Sequence, residues 1–353
     1  MPAPTTLSVI IEWENVRLSE LDRAERMLEQ LLAQLRALFA RYTPAGDAAS
    51  ASGASTGRAA RKAQETAFLA SFQGPAEVLV MFNSSDFSQE DVEAVVGRYI
   101  TADNPDVTLR YVGREDLHYY DMKNAGAEEA TGDYILFLDS DVVPEPGWLD
   151  GILGPLARDY VDAVGGYCYI DPEGLVGRAF TLSWFFDPPA SGGGIRQTRV
   201  LFANNMVLSR ELFLRYQFPP MAEGVCRRSC VTLSHTMVDD GVGLYKNPKA
   251  RISHPAPNGL SHILTRAMSE GRDNLFFDYG DPQTAPVGDL VRRYRQKLGK
   301  ARSRIRTYGD HIGLSRMEVP LVYAIAGSYY TTYLIGAALT KLSPSFMTER
   351  FQV

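Results

Sequence analysis

Two aspartates, Asp139 and Asp141, stand one residue apart at the end of the apolar run Tyr134-Ile-Leu-Phe-Leu138. In extended backbone, side chains two residues apart point the same way, so both carboxylates can share one hard divalent cation and, through it, a diphosphate. The alternative is a solvated turn, for which Pro144, Pro146 and Gly147 are suited. The run is short and apolar and follows Thr131-Gly-Asp133, which predicts a strand buried on both faces at the centre of a sheet.

Other elements must carry that strand. Leu7–Ile11 is a second apolar run, ending in Glu12, Trp13, Glu14 and Asn15, polar and aromatic residues at the strand end where open α/β sheets bind ligands. Glu77–Phe82 ends at Asn83 and Asp86, and Val107–Val112 follows after a helix expected from Ser88 to Ile100, with Asp86 a candidate N-cap. From Leu18 to Tyr42 apolar residues recur at i, i+3, i+4 and i+7, the pattern of an amphipathic helix, with Ser19 and Asp22 as a cap. Residues 43–57, rich in Ala, Ser and Gly, read as a flexible linker, and Arg58–Phe72 as a further helix. Strands alternating with helices predict an α/β fold with a mostly parallel central sheet and helices on both faces. No Gly-x-Gly-x-x-Gly follows the first strand and no Walker lysine motif occurs, which disfavours those two nucleotide folds.

The segment from Tyr120 through Lys123, Asn124, Gly126, Thr131-Gly-Asp-Tyr134 and Asp139-Ser-Asp141, then Pro144-Glu-Pro-Gly-Trp-Leu149, resembles the core of glycosyltransferase family 2, the inverting GT-A group. The resemblance runs from about Leu7 to His254. It implies a Rossmann-like GT-A domain over residues 1–255 and a metal-dependent transfer of a sugar from a nucleotide-diphosphate sugar, with a UDP-sugar the expected donor. Carried onto this chain, it implies donor contacts from Glu12, Glu14, Asn15, Asn83, Lys123, Asn124, Asp139 and Ser140. It implies a metal site of Asp139, Asp141 and His254, His254 closing the strand Tyr245–His254. Imidazole beside carboxylates suits manganese, with magnesium the other candidate. Where the family carries Pro-Thr-Tyr-Asn after the first strand, only Asn15 matches; Trp13 either packs in the core or offers a face to the base.

On the acceptor side, Asn204 and Asn205 resemble the family's Asn-Asn segment, and Trp184 among Phe180, Phe185 and Phe186 either lines an acceptor groove or fills the core. Pro188–Gly194 reads as a hinge loop. The family's Glu-Asp, whose aspartate is the catalytic base, is replaced here by Ser229 and Cys230. Glu223 is the first candidate for the base, with Asp239 and Asp240 at the helix end as the others. Cys226, Cys230 and His235 lack a regularly spaced fourth zinc ligand and read as structural.

The chain has 353 residues, 45% hydrophobic and 22% charged, enough for a large core, and a net charge of −6, which argues against general nucleic-acid binding. Three cysteines and no signal core predict the reducing cytoplasm. Residues 256–353 are expected to form a helical extension. Within it a basic run, Val291–Arg306, precedes the uncharged Val319–Thr340, read first as a buried or subunit-contact helix, then as attachment to the inner membrane face, last as a span. Attachment would suit a lipid-linked or cell-envelope acceptor. The competing readings are a non-catalytic sugar-nucleotide-binding protein and a nucleotidyltransferase; the latter needs a basic residue near the first strand, where only Arg17 is found.

Overall fold

In the computed structural model, residues 4–17, 21–42, 57–101, 103–117, 119–189, 193–220 and 227–350 are described. In chain order these hold β1 (Leu7–Glu12), α1 (Leu21–Phe39), α2 (Arg58–Leu69), β2 (Ala76–Asn83), α3 (Gln89–Val96), β3 (Val107–Arg114), α4 (Tyr119–Glu129), β4 (Tyr134–Asp139), β5 (Val143–Pro144), α5 (Trp148–Leu153) and β6 (Ala163–Ile170). Then follow α6 (Gly174–Ser183), β7 (Arg196–Gln197), β8 (Asn205–Ser209), α7 (Arg210–Tyr216), α8 (Ser229–Asp239), β9 (Leu244–His254), α9 (Gly259–Tyr279), α10 (Val287–Tyr308), α11 (Val319–Leu342) and α12 (Pro344–Arg350). The proposed cap Ser19, most of the linker (43–56), residues 190–192 of the hinge loop, Glu223 and Cys226 lie outside the described residues.

One sheet runs in the order β3-β2-β1-β4-β8-β6-β9-β5, with β7 paired to β9. The first four strands are parallel. At β8 the direction reverses, and β8 pairs antiparallel with both β4 and β6. β1 is buried along its whole length, as a strand covered on both faces must be, and β4 is nearly so. Because β1 carries Ser8 in this buried setting, its hydroxyl needs an acceptor and donates to Glu77 Oε2 at 2.6 Å. The Thr-Gly-Asp turn ahead of β4 has a packing role: a Cβ on Gly132 would stand 2.6 Å from Ser8 N, and Asp133 accepts from Thr6 N at 2.8 Å and Thr6 Oγ1 at 2.7 Å.

Several boundaries differ from the sequence expectation. α3 is capped by Ser88, whose hydroxyl accepts from Asp91 N; Asp86 instead pairs with Arg17 at 2.5 Å and accepts from Asn83. α5 ends at Leu153 and continues as a 3-10 turn through Ala157, since Pro155 has no N–H for the helix ladder.

The chain divides into two compact units. The first comprises Met1–Tyr167, Gly193–Pro219 and Ser229–Ser253; the second comprises Cys168–Gly192, Pro220–Arg228 and His254–Val353. The segment around α6, expected within the first domain, therefore groups with the C-terminal helices. In the second unit α11 buries Val322, Ala326, Tyr329, Tyr330, Tyr333 and Ala337, so the uncharged stretch is a core helix of that unit. Among the described residues no helix is long and apolar enough to cross a membrane.

α9 and α11 meet backbone to backbone. A Cβ on Gly271 would lie 2.3 Å from Tyr333 O, and one on Gly336 would lie 2.4 Å from Met268 O. Alanine at 271 gains about 1 kcal/mol of helix propensity, but overpacking against rigid backbone costs up to about 3 kcal/mol, so steric cost wins. Gly271→Ala is expected to lose about 2 kcal/mol net in urea unfolding. A variant as stable as the parent would show that the two helices can part without cost.

Candidate active site

The parallel register places Glu12 of β1 directly beside Asp139 of β4, so two carboxylates end adjacent central strands. Both are buried. Such a pair requires a cation, and α4 provides it: Lys123, fully buried, reaches Asp139 Oδ1 at 2.7 Å and lies 4.6 Å from the centre of the Tyr119 ring. Tyr119 donates its hydroxyl across Asp139, 2.8 Å from Oδ1 and 2.9 Å from Oδ2. Burial, then the neighbouring Asp139 carboxylate, keep this phenol well above its ordinary range, so it remains a donor.

Glu12 is the group left over. Its Oε1 accepts from Glu14 N at 2.6 Å and its Oε2 from Asn15 Nδ2 at 2.9 Å. Burial first, and next the Asp139 carboxylate, push the Glu12 carboxyl well above the usual range, with Lys123 opposing them. The unfolded chain loses this proton near the ordinary value of 4.5, whereas the folded chain keeps it to higher pH. The stability contributed by Glu12 is therefore full below 4.5 and is lost as pH rises toward the folded value. Glu12→Gln, which cannot ionise, should flatten that decline and be at least as stable as the parent at neutral pH. Urea unfolding of both proteins between pH 5 and 8 tests this; parallel profiles would refute it.

Asp141 follows on the turn after β4, buried, and α1 fixes that turn: Arg23 Nε donates to Asp141 O at 3.0 Å, while its Nη2 donates to Ser253 O and Oγ, each at 3.0 Å. Between the two aspartates, Ser140 N donates to Glu12 O at 3.0 Å, and Ser140 Oγ is buried with no hydrogen-bond partner among the described residues. At the end of β2, Asn83 organises a turn: its Oδ1 accepts from Ser85 N and Asp116 N, and its backbone N donates to Glu14 Oε1 at 2.9 Å. Burial raises the Glu14 carboxyl above its ordinary value.

Several expected roles are corrected by this geometry. Lys123, read as a donor contact, is the buried counter-ion of Asp139. Asn124, also read as a donor contact, spends both ends of its amide on Phe218, donating to O at 2.8 Å and accepting from N at 2.9 Å. Asn205, read as an acceptor contact, is buried; Trp148 Nε1 donates to its Oδ1 at 2.8 Å and its Nδ2 donates to Ala250 O. Asn204 is likewise buried. Trp13 is core, not a surface for a base. Trp184, in the second unit, is buried and donates to Tyr329 at 3.0 Å.

Asp139 has Lys123 on it, and an ammonium at 2.7 Å opposes a second cation on the same oxygens. Asp141 is the carboxylate that fits a hard cation, beside the buried Ser140 hydroxyl that lacks a partner among the described residues. His254 belongs to the second unit, with Nδ1 2.7 Å from Pro255 O. Among the described residues no three His, Cys, Asp or Glu side chains converge as a ready metal cage.

Of the acids considered for the base, Asp240 lies just past the end of α8, where its Oδ2 accepts from Tyr216. The other end of α8 is the one facing α4, since Tyr120 donates to Cys230 Sγ at 3.3 Å. Ten helical residues separate Cys230 from Asp240, about 15 Å at 1.5 Å each, so Asp240 is out of reach of that end. Burial raises the Cys230 thiol, which argues against a thiolate metal ligand. Tyr119 and Arg23 were missed by the sequence reading: a tyrosine just ahead of the family segment and an arginine on an amphipathic helix carry no local signal of their partners.

Residues 67–215 match glycosyl transferase family 2. The glycosyltransferase AglE of Haloferax volcanii is 24% identical over 254 residues, covering 71% of this chain and 70% of that protein. Among solved structures, the mannosyltransferase PcManGT of Pyrobaculum calidifontis, in complex with GDP-mannose and Mn2+, is similar over 98% of this chain and 90% of its own at 16% identity, with a TM-score of 0.51. The fold is thus GT-A, as the resemblance implied, and the protein is a glycosyltransferase, which sets aside the nucleotidyltransferase and the non-catalytic readings.

Proposed function

We propose that this glycosyltransferase moves a sugar from a nucleotide-diphosphate sugar to an acceptor hydroxyl with inversion, at the ends of β1 and β4. The observation that carries the reading is the juxtaposition of Glu12, Tyr119, Lys123 and Asp139 immediately ahead of Asp141. Lys123 and Tyr119 hold Asp139, and Arg23 holds the backbone at Asp141, so the turn that would face the diphosphate is pre-organised. Asp141 would hold a divalent cation, manganese or magnesium, which when bound offsets the charge developing on the leaving diphosphate. Glu14 and Asn83 tie the ends of β1 and β2 together where a nucleotide would lie. The acceptor oxygen bonds to the anomeric carbon as the bond to the diphosphate oxygen breaks, and its proton passes to a carboxylate base. Glu223 is the candidate for that base.

A panel of uridine and guanosine diphosphate sugars, with manganese and with chelator, tests the reading through release of nucleoside diphosphate. Metal-dependent turnover with one donor supports it; no donor turnover under any metal would overturn it. Glu223→Gln in the same assay decides the base, since loss of a general base costs about 10² to 10⁴ in rate.

We further infer that the acceptor is lipid-linked and that the protein attaches to the inner membrane face through α10. Arg292, Arg295, Arg302 and Arg306 fall on one exposed side of that helix, with exposed Val287 and Val291 at its start. Each cation near an anionic surface adds about 1 kcal/mol at physiological salt. The full chain should float with vesicles rich in anionic lipid and lose binding as salt rises. If it fails to float at any anionic fraction, an acceptor free in solution becomes the better reading.

A further inference from the structure

An ordinary surface helix is apolar on the face it buries and polar on the face it shows to water. α11 departs from that pattern. One of its faces packs Val322, Ala326, Tyr329, Tyr330, Tyr333 and Ala337 into the unit, against α9, α10 and α6. The opposite face is exposed and equally free of charge: Leu321, Ala324, Ser328, Thr331, Ile335 and Leu342 recur at intervals of three, four or seven residues along one side. Leu321 is 51%, Ile335 48% and Leu342 77% exposed. At 1.5 Å per residue the strip is about 30 Å long, more than single scattered leucines on a surface account for.

The strip has a basic margin. The hydroxyls of Tyr294 on α10 and Thr331 lie 3.4 Å apart, so α10 borders it. Lys297 marks the inner side of α10, because its ammonium bonds Glu270 at 2.6 Å and lies 4.6 Å from the centre of the buried Tyr333 ring. Helical geometry sets Lys297 and the row Val291, Arg295, Arg302 on opposite sides of Tyr294, so that row is the outer one, next to the strip. All three are exposed, and Arg295 and Arg302 pair with no carboxylate among the described residues. Neither row carries an acid.

Such a face needs an apolar partner bordered by negative charge. A second copy does not supply it, because a two-fold contact presents the same patch from both sides and each basic margin would find no acid there. A bilayer with anionic headgroups supplies both. We propose that the exposed face of α11 lies at the boundary between headgroups and acyl chains of an anionic bilayer, with Arg295 and Arg302 on the lipid phosphates. This rests on the attachment through α10 inferred above and adds an apolar contact to it. The helix lies in the plane of the membrane without crossing it, its inner face still packed in the protein.

The test is flotation of the full chain with vesicles of equal parts phosphatidylcholine and phosphatidylglycerol, comparing the parent with a Leu321→Gln, Ile335→Gln double variant. The substitutions change no charge, so attachment by arginines alone would leave partition as it is. Removing two exposed aliphatic side chains from a lipid contact should instead weaken partition at least about tenfold, through the apolar area no longer withdrawn from water. Melting temperature should stay with the parent, since both positions are on the surface. Ile335→Trp gives a second reading: lipids brominated on their acyl chains should quench fluorescence in this variant and not in the parent, whose Trp13, Trp148 and Trp184 are buried. Equal partition of the parent and the double variant, or no quenching, would overturn the proposal and leave the attachment through α10 standing. A parent that floats with no vesicle overturns both. A parent that sediments as a dimer, with a double variant that sediments as a monomer, would give the face to a second copy and overturn the proposal as well.

Discussion

Asp141→Asn is expected to lower sugar transfer by about 10²- to 10³-fold, the scale seen when one pre-organised electrostatic contact to a developing charge is removed. The substitution keeps the size of the side chain and removes its charge. The turn should persist, since Arg23 holds it through the backbone oxygen of Asp141, which the substitution leaves in place. Melting temperature should therefore stay with the parent while manganese-dependent binding of nucleoside diphosphate is lost. Calorimetry with manganese present and absent separates the two effects. Full affinity in the variant would remove Asp141 from the metal site and, with it, the proposed handling of the leaving group.

The second large effect is on stability. Lys123→Met should destabilise the protein by about 3–5 kcal/mol, the range for breaking a buried ion pair from one side. Lys123 is fully enclosed and Asp139 is 4% exposed, so the abandoned carboxylate cannot turn to water, and Glu12 stands beside it. Adding Asp139→Asn to Lys123→Met should recover much of the loss, because replacing a whole buried pair is close to neutral. Urea unfolding of the two single variants and the double variant measures this. Additive losses would mean that the two side chains do not act as a pair.

The sequence by itself determined the parallel half of the sheet and the ends of its strands. Apolar runs such as Leu7–Ile11 and Tyr134–Leu138 are local signals, and polar residues at their ends mark where the strands stop. The Asp-Ser-Asp spacing was legible as well, but β4 stops at Asp139 and Asp141 lies on the turn that follows, so backbone pleat does not relate the two carboxylates. The helical character of the C-terminal part was legible from periodicity, and so was the first-ranked reading of Val319–Thr340 as a buried helix.

Tertiary structure decided which polar side chains are free to meet a ligand. Lys123 and Asn124 read as donor contacts in sequence, yet one neutralises Asp139 and the other brackets Phe218, 94 residues away. Asn205 reads as an acceptor contact, and the core takes both ends of its amide. Likewise, only the packing groups Cys168–Gly192 with the C-terminal helices, where Trp184 donates to Tyr329, 145 residues further on. The physical reason is common to these cases. A buried polar group must find a partner, and the chain distance to that partner has no limit, so residue type and local spacing record the need without recording who meets it.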